Sequence, residues 1–231
     1  LSQVKITIKT ALIEGFPLAI AIATYGLSYG ILATQANLNL LSTVAMSIFV
    51  FSGSVQLVTI AMITSGATVA SIFITACLLN VRNLLYGAAL AEGLSPVKKR
   101  WRWLLSFGVS DEPFVLGSTR FKKFGPDPLY FGVVAGLFYI AWIISSYTGA
   151  LIGDQIDPLK WGLDLAFPVT FTALLIPSLN EKPAIATALS AATIASGLET
   201  FFPGNELTVI AAGVLSPFLG LYLARRSLGH D

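Results

Sequence analysis

Ser52-Gly53-Ser54 and Gln56 stand in the middle of FVFSGSVQLV, residues 49–58, whose flanks are apolar enough for a lipid bilayer. Small residues at such a place let neighbouring helices approach closely. They also let a helix unwind and turn its backbone N–H groups, with their partial positive charge, toward an anionic ligand group. Gln56, one turn on, completes a polar pocket in that second reading. Irregular backbone at membrane depth is tolerated only where protein or a water-filled cavity satisfies it, so the two readings differ in whether a cavity exists.

A second group lies in LLNVRNLLYG, residues 78–87, where Asn80, Arg82 and Asn83 close an apolar run. An arginine there either snorkels to the interface or faces a polar cavity and takes an anion. The acids available to it are Asp111 and Glu112 in GVSDEPF and Asp164 in GLDLAFP. A carboxylate inside a span is costly unless paired, protonated or hydrated. One of these acids can neutralise Arg82, and another can carry a proton, because desolvation favours the neutral carboxyl. Glu14 and Glu199 lie closer to the ends of apolar runs.

These groups need elements to hold them, and the composition says which. Of 231 residues 55% are hydrophobic and 11% charged, with a mean hydropathy of +0.78, too few charges to solvate a globular surface. Apolar runs at about 11–34, 41–64, 67–90, 128–153, 161–179, 183–202 and 206–224 approach the roughly 20 residues of a helical span. The expected fold is an all-α membrane protein of about seven transmembrane helices. It forms a single polytopic membrane domain over 1–231, with half-repeats at about 11–90 and 128–224 linked by 91–127. The N-terminal apolar run exceeds the length of a signal-peptide core and is read as a retained span. Cys77 has no second cysteine to pair with and His230 is the single histidine, so neither a disulfide nor a His/Cys metal site is expected. No cofactor is expected. The basic residues gather in short loops and not along a nucleic-acid-sized face.

An eighth segment, 104–118, is short and holds Asp111, Glu112 and Pro113, so it crosses as a broken helix or re-enters. Lys98, Lys99, Arg100 and Arg102 precede it and Arg120, Lys122 and Lys123 follow it. The positive-inside rule favours re-entry, which puts all of them on one face with Lys182, Arg225 and Arg226, against Lys5, Lys9 and Lys160. That reading sets the N-terminus outside and the C-terminus in the cytoplasm. Shifting the chain on itself by 116 residues lays Phe51-Ser52-Gly53-Ser54 over Phe167-Pro168-Val169-Thr170. Two interrupted helices at equivalent places are the pattern of an inverted repeat, common in secondary transporters. The prolines at 17, 113, 168 and 177 mark bends.

EGFPLAIAIATYGLSYGILA, MSIFVFSGSVQLV, LLNVRNLLYG, SFGVSDEPF and GLDLAFPVTFTALLIP together resemble the successive motifs of the AzlC family, in order, over about residues 12–180. The resemblance implies an exporter of leucine, isoleucine and valine, with methionine as a further substrate, in a bacterial inner membrane. It implies drive by the proton-motive force and a separate small membrane subunit of the AzlD type, or a homo-oligomer in its absence. Many relatives have Ala-Gly-Ser where this chain has Ser52-Gly53-Ser54, and Arg-His where it has Arg82-Asn83. The second difference removes one proton carrier and leaves the acids.

For a zwitterion with an apolar side chain, Ser52, Gly53, Ser54 and Gln56 would serve the carboxylate. Asp111 or Asp164 would serve the ammonium, and Phe51 and Phe167, flanked by Pro168 and Thr170, the apolar part. Arg82, Asn80, Asp111, Glu112 and Asp164 form the candidate charge network. A rival class is an intramembrane aspartyl protease using Asp111 and Asp164. GLDL lacks the second glycine of that enzyme context, and no Pro-Ala-Leu follows. A non-transporting scaffold needs neither buried acids nor a broken helix.

Overall fold

The computed structural model describes residues 2–157, 160–162, 165, 172, 175, 176, 179, 182–203 and 207–228. All regular elements among them are helical, as an all-α membrane protein requires. They are α1 (Ser2–Gln35), α2 (Leu40–Phe49), α3 (Gly53–Thr64), α4 (Val69–Leu90), α5 (Lys99–Phe107), α6 (Asp111–Phe124), α7 (Pro128–Ile152), α8 (Lys182–Phe201) and α9 (Leu207–Leu228). Among the described residues, four helical stretches, Gln3–Gln35, Val69–Leu90, Pro128–Gln155 and Lys182–Phe201, are long and apolar enough to cross a bilayer. Their outward faces are apolar too: Phe73, Leu84 and Leu85 of α4 are 69–73% exposed, which suits lipid and not water. The chain packs as two units, 1–167 and 168–231.

In the first unit α1 lies along α7, and small residues bring them together. A Cβ on Gly30 would sit 2.2 Å from the Ser146 carbonyl oxygen, and one on Gly149 2.2 Å from that of Leu27. Such spacing, Gly26 with Gly30 on one helix and Gly149 on the other with Gly153 just past its end, is the small-residue packing expected of helices in lipid. Thr34 Oγ1 donates to the Ala150 carbonyl at 3.0 Å, and Tyr130 Oη to Glu14 Oε2 at 2.5 Å. Low numbers meet low and high meet high, so α1 and α7 run in the same direction.

Between them the chain makes two half-length excursions. α2 starts beside the C-terminal end of α1 and descends, with Tyr29 donating to the Thr43 carbonyl and Tyr139 to that of Ile48. It stops at Val50; Phe51 takes a left-handed φ of 43° and Ser52 is extended. α3 then climbs back: Gly53 packs on Tyr25, while Leu57, Ala61 and Thr64 line a groove with Leu32, Gln35 and Ala36 at the end of α1. The run at 41–64 is thus interrupted as expected, but its halves form a hairpin that leaves by the end it entered. With 10 and 12 residues the halves are about 15 and 18 Å long, half a bilayer each.

α4 descends to the other end, where Leu90 and Leu94 pack with Phe131 near the start of α7. A second hairpin rises from there. α5 climbs until Phe107 meets Tyr139 edge-on, and α6 returns until Gly117 and Phe121 meet Phe131. Segment 104–118 therefore re-enters, turning at Gly108–Ser110. The turn is written in Ser110-Asp111-Glu112-Pro113, an extended residue followed by two acids and a proline at a helix start. Lys122 and Lys123 occupy the opposite, last turn. Trp101 and Trp103 stand 49% and 71% exposed among the basic residues at this hairpin's mouth, as interfacial tryptophans do.

An inversion relates these parts, at half the step found in the sequence. From Ser52 to Ser110, span-plus-hairpin α1–α3 gives way to span-plus-hairpin α4–α6 pointing the other way. Two such steps separate α1 from α7, which is why those helices are parallel. The counterpart at 167–170 lies outside the described residues. The expected placement of Lys5 and Lys9 opposite the basic loops is changed by the first hairpin, because a returning segment removes one crossing. Lys5 and Lys9 therefore share an end with Lys98–Arg102 and Arg120–Lys123.

In the second unit α8 and α9 pack on one another, with Gly220 so close to Thr187 that a Cβ would sit 2.0 Å from its Oγ1.

Candidate functional site

The two hairpin tips meet. Phe51 lies 6.0 Å from Phe107 and 4.9 Å from Tyr139, the latter edge-on, and the three rings form one aromatic cluster. Each tip hands the chain to a helix that starts at this level, α3 at Gly53 and α6 at Asp111. Neither N-cap serine bonds its helix through the side chain. Gln56 N bonds the Ser52 carbonyl as α3 begins, so the N–H groups of Gly53, Ser54 and Val55 precede the helical ladder.

Arg82 of α4 joins the two starts. Its Nη2 donates to Ser54 Oγ and lies 2.8 Å from Asp111 Oδ2. Tyr86, one turn further along α4, donates to Asp111 Oδ1 at 3.0 Å and stacks on Phe114 of α6 at 4.3 Å. The Arg82 and Asp111 side chains keep 27% and 19% of their surface accessible, so the pair is sheltered but reachable. Glu112 follows Asp111 in the same turn and is partly buried. Asn83 Nδ2 donates to Asn80 Oδ1 at 3.0 Å, so the asparagines flanking Arg82 hold one another.

Gln56 belongs to a different group. It is fully buried, and its Nε2 donates to Ser47 Oγ across the first hairpin at 3.3 Å. Ser47 Oγ is 2.8 Å from Ser146 Oγ, which lies 2.6 Å from the Trp142 carbonyl. This chain of side chains ties the hairpin to α7. Among the described residues, Gln56 Oε1, Asn83 Oδ1 and Trp142 Nε1 are buried without a hydrogen-bond partner.

The fold thus brings Ser54, Arg82 and Asp111 into direct contact, keeps Gln56 and Asn80 nearby in separate bonds, and places Phe51, Ser52 and Gly53 at the turn. Asp164, Phe167, Pro168 and Thr170 lie outside the described residues. Tyr86, Phe107, Tyr139, Ser47 and Ser146 were not singled out from the sequence. Tyr86 was readable, because it sits one turn after Arg82 on the same helical face. The serines carry no local signal.

The AzlC protein family matches residues 17–156. An uncharacterised membrane protein of Helicobacter pylori is 25% identical over 93% of this chain and 95% of its own length. The inner membrane protein YgaZ of Escherichia coli is 22% identical over 89% of this chain and 87% of its own. The branched-chain amino acid transport protein AzlC of Bacillus subtilis is 21% identical over 91% and 83%. No solved structure matches.

Proposed function

Since this chain belongs to the AzlC protein family, we propose that it is a secondary transporter exporting branched-chain amino acids through a bacterial inner membrane. The named function of the Bacillus relative and the membrane location of the Escherichia relative support this reading. Leucine, isoleucine and valine are the substrates, with methionine as a further one, and the proton-motive force is the drive. A small AzlD-type membrane protein is the partner, and a homo-oligomer forms in its absence.

One observation carries the proposal: two helices broken at mid-length come from opposite ends and meet beside an accessible ion pair, Arg82 with Asp111. A scaffold gains nothing from placing charges and unwound backbone there, since both cost free energy in lipid. A transporter needs a polar seat that either end can reach in turn.

The test is uptake of labelled leucine into inverted vesicles bearing this chain, with and without a co-expressed small subunit. Leucine accumulation that depends on an imposed proton gradient is expected, and that collapses with a protonophore. No transport of leucine, isoleucine, valine or methionine, with either composition, sinks the proposal.

A further inference from the structure

We infer that the Arg82–Asp111 pair is the seat of the substrate's two charges: the pair opens, and a zwitterion takes its place between the hairpins. The substrate carboxylate sits on Arg82 and Ser54, and its ammonium on Asp111 and the Tyr86 hydroxyl. This rests on the amino-acid reading above and adds which group holds which end.

The contacts already made are the argument. Arg82 Nη2 reaches both Ser54 at the start of α3 and Asp111 at the start of α6, and Tyr86 caps the other carboxylate oxygen. Opening this pair with nothing between takes each charge from its ionic partner in a sheltered site, which is costly. A zwitterion replaces each lost partner by its chemical like, carboxylate for carboxylate and ammonium for guanidinium. One ion pair becomes two with no change in net charge. An acid without an amine, or an amine without an acid, replaces one of the two lost charges and not the other. The apolar side chain then has Phe51 and Phe107 to lie against, on the same two tips. Because Ser54 and Asp111 belong to opposed hairpins, occupancy also parts them.

Binding to the purified protein, measured by calorimetry with three probes, tests this. Leucine should bind, while 4-methylpentanoate and 3-methylbutylamine, which lack its amine and its carboxylate, should bind on the order of 100-fold more weakly. Asp111→Asn removes the carboxylate bonded to Arg82 together with the seat of the ammonium, so 4-methylpentanoate should now equal or exceed leucine. Tyr86→Phe keeps the pair and should weaken leucine roughly tenfold, with 4-methylpentanoate unchanged. It decides the matter if Asp111→Asn does not fold. A wild-type protein that transports leucine yet binds all three probes alike, or variants with the wild-type order of affinities, would overturn the seat alone. A wild type that neither binds nor transports leucine overturns the transport reading with it.

Discussion

Phe51 and Phe107 stack at 6.0 Å with their planes 23° apart, each at the tip of a hairpin that enters from the opposite end of the first unit. Neither hairpin crosses, and Tyr139 of α7 packs edge-on against both rings. Phe51 holds its place with a left-handed φ of 43°, a conformation a bulky residue takes only when its surroundings impose it. The aromatic cluster is made of parts that belong to different elements.

Topology is the first consequence to test. With Cys77 replaced, single cysteines at Leu40 and Ser65 should react with an impermeant reagent from one side, and cysteines at Lys99 and Lys122 from the other. The second pair should be cytoplasmic. Labelling of Leu40 and Ser65 from opposite sides would mean that 41–64 crosses.

Gly53 touches the Tyr25 ring, where a Cβ would sit 2.5 Å from Cε1, and Tyr25 is only 3% exposed and packed edge-on against Trp142. Gly53→Ala should therefore cost about 1–3 kcal/mol by overpacking. Gly53→Leu should abolish transport. Tyr25→Leu should restore part of the Gly53→Ala loss, with a coupling of about 1 kcal/mol in thermal unfolding. Additive effects would show that the contact does not limit Gly53.

Breaking the ion pair from one side should destabilise more than removing it whole. Asp111→Asn or Arg82→Gln should each cost about 3 kcal/mol, the lower end for a buried pair because both side chains keep some exposure. The double variant should be more stable than either single one. Equal stability of all four proteins would deny the pair a structural share.

The α1–α7 contact is the least forgiving. Gly30→Ala and Gly149→Ala meet backbone at 2.2 Å and should prevent recovery of folded protein, whereas Gly136→Ala on α7, with nothing within 4 Å, should be silent. Size-exclusion profiles of the three variants make the comparison.

The sequence announced the breaks and the charge pair, but not the return of the first hairpin. Ser52-Gly53-Ser54 is an obvious weak point, and Arg82 with Asp111 is an obvious pair once both are seen in apolar runs. Hydropathy reports depth without direction, and a 24-residue apolar run broken at its middle fits one crossing or two half-length helices equally well. Direction was set by contacts far apart in sequence: Ser47 with Ser146, 99 residues on, and Thr34 with Ala150, 116 on. Nothing local marks a serine in an apolar run as half of such a bond. The second hairpin was more legible, because basic residues on both sides and Ser-Asp-Glu-Pro at the turn spell it out.

The parallel pairing of α1 and α7 also bears on how the chain is born. During synthesis the first hairpin emerges, with Ser47 and Gln56 facing the place where Ser146 will be, long before α7 has been translated. Until then Ser47 lacks its contact with Ser146, and the face of α1 that will receive α7 is open to lipid. Insertion of the first three helices is therefore provisional, and a ribosome stalled before residue 146 should leave a chain that a membrane insertase or chaperone must hold, or a protease will clear.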